Sequence, residues 1–167
     1  MPHGDTVLRS DVAAPRVVVC GAGGFIGGHL VRSLRSCGVN VVRTVDIKPI
    51  EDWQQATEGV ENLTLDLRDK QNGLIAVRGA DHLYQLAADM GGMGFIQNNK
   101  ALSMLNVLTS TNTLLAAQES GVSRFFDASS ACVYNAEKQT NPEGDRPQRM
   151  RCLSGYAGRR VRMGKAV

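Results

Sequence analysis

The run Val17-Val18-Val19-Cys20 passes directly into Gly21-Ala22-Gly23-Gly24-Phe25-Ile26-Gly27-Gly28, and a helical pattern begins at once. A strand that must turn sharply into a helix leaves few folds open. The glycines at 21, 24 and 27 give a G-x-x-G-x-x-G spacing. The stricter G-x-G-x-x-G pattern would place its last glycine where Ile26 stands. The physics is common to both. The backbone must approach a pyrophosphate without an intervening Cβ, and the helix must offer free N–H groups to the anion. Gly21, Gly24, Phe25, Ile26 and Gly27 are therefore candidate cofactor contacts. The alternative is a glycine-rich turn with no ligand, but strand before and helix after is the context that nucleotide binding requires.

The rest of the chain alternates in the same way. The unalternating apolar run at 16–20 predicts a strand buried on both faces, as in a parallel sheet. A helix is expected over 24–37, with Ile26, Leu30 and Leu34 as its buried stripe, Arg32 and Arg35 facing out, and Gly38 closing it. The next strand covers 39–45 and ends at Asp46. An acid there accepts from the adenosine ribose hydroxyls and repels a 2′-phosphate, which favours NAD over NADP. Asp46 lies 25 positions after Gly21, slightly beyond the usual distance of about 20. A solvated loop carboxylate is the competing reading. Residues 47–60, with Pro49 and Trp53, read as loop or short helix.

A third strand over 62–65 precedes Asp66-Leu67, where an acid can meet the adenine amino group. Residues 70–78 read as helix. A fourth strand, 81–86, runs into Leu86-Ala87-Ala88, whose small side chains let a cofactor lie close. Asp89 and the loop Gly91-Gly92-Met93-Gly94 follow, outside the strand end, where open α/β sheets bind ligands. A long helix over 97–120 carries Ala101, Leu105, Leu108, Leu115 and Ala116. Asn106 and Asn112 interrupt that pattern, either bonding backbone near the site or pointing outward. Gly121 ends the helix and a fifth strand spans 124–128. The alternation predicts a Rossmann-like, doubly wound α/β sheet in the order 3-2-1-4-5. Strand five would then be an edge unless more chain follows, and an uncovered edge is a liability. Residues 1–15 read as a disordered lead-in, 16–134 as the nucleotide-binding domain, and 135–167 as loop and basic tail.

Composition narrows the classes. At 167 residues with 43% apolar content the chain suits one domain with a real core. No apolar run approaches the roughly 20 residues that span a bilayer, and the polar N-terminus has no secretory h-region. Cys20, Cys37, Cys132 and Cys152 are scattered and do not cluster with His3, His29 or His82. The expectation is no metal site, no disulfide framework and a reducing, cytoplasmic setting. Seven cations and no acid follow Asp145, although the formal net charge is only +3. Such a tail can bind nucleic acid or acidic lipid but is more often simply solvated, so neither a membrane nor a nucleic acid is the expected partner.

These residues together resemble the extended short-chain dehydrogenase/reductase superfamily, the NAD-dependent epimerases and dehydratases. Residues 87–97 and 124–134 look narrower still. Ala-Ala-Asp-Met-Gly-Gly-Met-Gly-Phe-Ile-Gln and Arg-Phe-Phe-Asp-Ala-Ser-Ser-Ala-Cys-Val-Tyr resemble the GDP-mannose 3,5-epimerase family. The resemblance spans about residues 16–140. It implies NAD as cofactor and a GDP-mannose-like nucleotide sugar as substrate. In that chemistry bound NAD takes hydride from sugar C4, the ketone acidifies C3 and C5, and hydride returns after epimerisation. Carried over by position, Ser130 would hydrogen-bond the C4 oxygen and Cys132 would be one member of the acid–base pair. A thiol near pKa 8.5 can be tuned toward neutrality for that task. Without the resemblance, Cys132 would read as a small buried residue. Gly91, Gly92, Met93 and Gly94 would line the sugar and diphosphate pocket.

The superfamily's Tyr-x-x-x-Lys has only Tyr156-Ala157-Gly158-Arg159-Arg160 as counterpart, and arginine lacks lysine's compact ammonium geometry. The resemblance also implies a second acid–base lysine, a nucleotide-sugar domain and a dimer-forming helix beyond this stretch. The expectation is a truncated chain that holds NAD and does not by itself turn over substrate, with a homodimer for full-length members. Another nucleotide-sugar epimerase or dehydratase, and a non-catalytic NAD-binding module, are the alternatives.

Overall fold

The computed structural model describes residues 14–89, 98–129 and 161–162. Five parallel strands form the sheet: β1 (Val17–Cys20), β2 (Val41–Asp46), β3 (Glu61–Thr64), β4 (His82–Gln85) and β5 (Arg124–Asp127). Their order is β3-β2-β1-β4-β5, the predicted Rossmann-like arrangement. A sixth strand, β6 (Val161–Arg162), pairs antiparallel with β5 and covers the edge expected to be open. Two residues carry no readable period, so the basic tail gave no sign of it.

Among the described residues, three helices cover the faces: α1 (Phe25–Ser36), α2 (Lys70–Val77) and α3 (Lys100–Glu119). β1 is buried along its whole length. Val18 and Cys20 point to the α2–α3 side, where Ala76, Val77, Ala116, Ala117 and Val122 complete one core. Val17 and Val19 point to the α1 side, where Ala22, Val31, Val41 and Trp53 complete the other. The sheet is therefore the middle of three layers, which is why its central strand shows no alternation.

Two local expectations change. The buried face of α1 is Gly27, Gly28 and Val31, with Leu30 and Leu34 partly covered, while Ile26 is 72% exposed. The helix start lies so close to the strand exit that a Cβ on Gly27 would collide with the Gly21 carbonyl oxygen and stand 2.8 Å from the Ala22 Cα. Only glycine fits at position 27, so Ile26 turns to solvent while Leu30 and Leu34 pack against the core as expected. In α3 the inward face is Thr109, Asn112, Thr113, Ala116 and Ala117, and Leu108 and Leu115 are exposed together with Ala101.

Element ends are held by specific groups. Gly38, at φ +75°, follows α1, and the Val39 N–H donates to the Leu34 carbonyl across it. Asp69 caps α2 by accepting from the Gln71 N–H at 2.7 Å. Arg43 on β2 donates through Nη1 to the carbonyls of Ile75, Ala76 and Arg78 at the end of α2, each at 3.0 Å. Its Nε donates to Glu61 at 2.7 Å.

Candidate cofactor cleft

Parallel register aligns the strand exits on one edge of the sheet. Cys20 sits beside Val45 on one side and Gln85 on the other, Asp46 beside Thr64, and Gln85 beside Asp127. Strand order reverses between β1 and β4, so the crevice of an open α/β sheet falls there. A cleft occupies that edge. Gly21 and Gly24 form its floor, with Asp46, Asp66, Leu67, Arg68, Leu86, Ala87, Ala88 and Asp89 among its walls.

The glycine loop is built for close approach. Gly21 has φ +81°, and a Cβ there would stand 2.6 Å from the Ala87 nitrogen. Its N–H donates to the Val45 carbonyl at 2.7 Å, tying the loop to β2. Gly24 is the N-cap of α1, no side chain caps that end, and its first turn holds no acid. The first-turn amides and the positive end of the helix dipole therefore remain for an anion.

Asp46 ends β2 and is 7% exposed. Its Oδ2 accepts the Gly23 N–H at 2.9 Å and its Oδ1 accepts the Lys48 N–H at 3.0 Å. Each oxygen keeps a lone pair for a further donor such as a ribose hydroxyl. Asp66 is fixed by its neighbour: Arg68 donates through Nη2 at 2.6 Å and through its backbone N–H at 3.0 Å. The Arg68 side-chain hydrogen bond holds the Asp66 carboxyl below its ordinary pKa, against a smaller upward push from burial.

The two asparagines of α3 turn inward and clamp the cleft walls. Asn106 Oδ1 accepts the Asp89 N–H at 2.7 Å while its Nδ2 donates to the Asp89 carbonyl at 2.9 Å. Asn112 Nδ2 donates to the Arg68 carbonyl at 2.7 Å. The first of the two sequence expectations for these amides, backbone bonding beside the site, is what the structure shows. Gln85, 1% exposed, donates through Nε2 to the Ala87 carbonyl at 3.0 Å and sets the β4 exit. Gln85, Arg68 and Trp53 were not among the candidates. The signal for Gln85 was a lone amide in an apolar strand, and the signal for Trp53 was the chain's single tryptophan.

The structure thus gathers Gly21, Gly24, Asp46, Asp66, Leu67, Leu86, Ala87 and Ala88 around one cleft. Gly27 lies behind it, packed on Gly21, and Phe25 and Ile26 stand exposed on the first turn of α1 at 64% and 72%. Gly91, Gly92, Met93, Gly94, Ser130, Cys132 and Tyr156 lie outside the described residues. No described helix is long and apolar enough to cross a membrane.

Known proteins share this design. The sequence profile of the NAD dependent epimerase/dehydratase family matches residues 17–164. GDP-mannose 3,5-epimerase 1 of Oryza sativa subsp. japonica is 44% identical over 131 residues, covering 74% of this chain and 33% of that protein. The chain therefore spans about a third of the length of that curated relative. The Thermus thermophilus UDP-glucose 4-epimerase complex with NAD superposes with TM-score 0.67 at 27% identity, over 88% of this chain and 45% of that one. MoeE5 in complex with UDP-glucose and NAD superposes with TM-score 0.63 at 32% identity, over 80% and 42%.

Proposed function

Because this chain belongs to the NAD dependent epimerase/dehydratase family and uses NAD, we propose that it provides the cofactor-binding part of a nucleotide-sugar epimerase whose substrate is GDP-mannose, inverted at C3 and C5. The observation that carries the cofactor half of this reading is the cleft itself. A glycine floor, an uncapped helix start, a buried Asp46 with free lone pairs and an oriented Asp66 stand on one strand edge. They fit, in turn, the pyrophosphate, the adenosine ribose and the adenine. Similarity to the rice enzyme supports the choice of sugar nucleotide.

NAD, when bound, supplies reversible hydride acceptance from C4 of the sugar. The chain's own residues do the rest. Asp46 accepts the ribose hydroxyls and disfavours a 2′-phosphate by like charge. The amides at the start of α1 hold the pyrophosphate. Ala87 and Ala88 leave room along the β4 exit, and Gln85 and Asn106 fix that exit through their hydrogen bonds to Ala87 and Asp89. Ser130 donates to the C4 oxygen, and Cys132 moves a proton at the ring carbons next to the ketone. Tyr156, with Arg160 standing in sequence where the superfamily has lysine, is the proposed partner for the hydroxyl proton. Gly91 to Gly94 line the sugar diphosphate.

Product analysis tests the reading. The NAD-loaded chain is offered GDP-mannose, UDP-hexoses and dTDP-hexoses, and the 131 matched residues are also grafted into the rice enzyme. The graft is expected to bind NAD and to give C3- and C5-inverted product from GDP-mannose, whether or not 167 residues suffice alone. Preference for a UDP- or dTDP-hexose would move the assignment to another sugar epimerase or dehydratase. A graft that holds NAD and leaves every sugar untouched would overturn the catalytic reading.

A further inference from the structure

The glycine loop is held from the β2–β3 connection as well as from the cleft, and Trp53 is the large side chain packed against it. Trp53 follows a short 3-10 turn, Ile50–Asp52, in the β2–β3 connection. It is 8% exposed and does not line the cleft. Its indole packs against Gly23, where an added Cβ would stand 2.8 Å from Cδ1 and 3.0 Å from Cγ of the ring. Its Nε1–H donates to the Lys48 carbonyl at 2.9 Å. Lys48 in turn donates its N–H to Asp46. On the next residue, the Gln54 N–H reaches the Gly23 carbonyl at 3.4 Å. Gly23 is thus held by its N–H through Asp46 and by its carbonyl through Gln54, with the Trp53 ring filling the space a side chain would take.

We propose that Trp53 is a positioning residue for the phosphate-binding loop, fixing Gly23 so that the β2 acid and the start of α1 present one preassembled surface to the dinucleotide. The proposal rests on the cleft being the NAD site. Asp46 is anchored to a strand, and the glycine loop is tied to β2 through the Gly21 and Ala22 N–H groups on the Val45 carbonyl, which leaves Gly23 as the part that Trp53 packs against. A ring packed on a glycine restricts the positions the loop can take. Preorganisation of this kind lowers the ordering cost of binding rather than adding contacts.

The experiment separates positioning from simple core filling. Trp53→Leu removes the flat ring, and Trp53→Phe keeps a ring against Gly23 while losing the Nε1–H bond. Adenosine, ADP and NAD are titrated against each, with thermal unfolding run alongside. Adenosine engages Asp46 and Asp66 but not the phosphate loop. In Trp53→Leu, ADP and NAD are expected to weaken tenfold or more while adenosine stays within about threefold. Trp53→Phe is expected to recover most of the loss. Parallel weakening of all three ligands, or unchanged affinity for all, would overturn the proposal. If Trp53→Leu fails to fold, the wild-type chain still decides. As the single tryptophan, Trp53 should change its emission with ADP and NAD and not with adenosine, and an emission indifferent to ADP would overturn the proposal. Loss of NAD binding by the unaltered chain would instead defeat the reading of the cleft.

Discussion

Gly24→Ala separates a phosphate cradle from a mere turn. Gly24 has φ −81° and ψ 168°, a conformation open to any residue. A Cβ there would find a single heavy atom within 4 Å, the Gly21 carbonyl oxygen at 3.4 Å. The fold therefore does not require glycine at this position. Replacing Gly by Ala at a compatible site gains roughly 0.4–1 kcal/mol through the unfolded chain. Alanine is a poorer N-cap than glycine by a comparable amount, about 0.5–1 kcal/mol. The two offset, and stability should change by no more than about 0.5 kcal/mol. The ligand has no such freedom. A methyl on the cleft floor pushes a pyrophosphate away from the α1 amides. Losing one hydrogen bond to a charged group costs about 2 kcal/mol, which is roughly thirtyfold in affinity. Calorimetric NAD titration and thermal unfolding of the same preparation read both quantities. Gly27→Ala is the control: its Cβ meets backbone 2.7 Å away at the Gly21 carbonyl carbon, and overpacking of that kind costs about 1–3 kcal/mol of stability. Gly24→Ala with wild-type melting and wild-type NAD affinity would refute the placement of the pyrophosphate.

Three further outcomes follow from the geometry. Arg43→Met strips three carbonyls at the end of α2 of a charged donor whose side chain is only 15% exposed, and should cost about 2 kcal/mol, a fall in Tm of several degrees in a thermal scan. The carboxyls of Asp66 and Asp81 are held below their ordinary pKa chiefly by hydrogen bonds from Arg68 and Arg16, so their contribution to stability is complete above about pH 4 and lost as pH falls through the lowered values. Melting from pH 6 to pH 2 should show that loss, and Arg16→Met with Arg68→Met should flatten it; an unchanged acid limb would contradict the assignment. Burial pushes the Cys20 thiol up to about 12, with the Asp46 charge adding to the shift, while Cys37 is exposed. Maleimide mapping of the native chain should therefore modify Cys37 and spare Cys20.

What the sequence revealed and what it concealed divide along physical lines. Strands buried on both faces read directly, because β1 has no solvent face to interrupt Val17 to Cys20. Asp46 and Asp66 read because an acid just after a strand stands at the ligand edge. Asn106 and Asn112 read as amides in need of partners, though not which carbonyls they would find. The buried faces of α1 and α3 read only in part. Leu30, Leu34 and Ala116 pack inward as expected, but Gly27, Gly28 and Val31 on α1 and Thr109, Asn112, Thr113 and Ala117 on α3 make the closest approach, while Ile26, Leu108 and Leu115 face solvent. Trp53 escaped for another reason. Its role comes from a loop folding back onto Gly23, 30 positions earlier, and no local period records such a contact.

The cleft above Gly21 and beside Asp46 is proposed as an NAD site that discriminates against NADP. Thermal unfolding of the purified chain with each dinucleotide tests that most directly. NAD at 100 times its dissociation constant should add about 2.7 kcal/mol of stability, and NADP at the same concentration should add far less, because its 2′-phosphate meets the Asp46 carboxylate. A cooperative transition that ignores both dinucleotides, or rises equally with each, would contradict it.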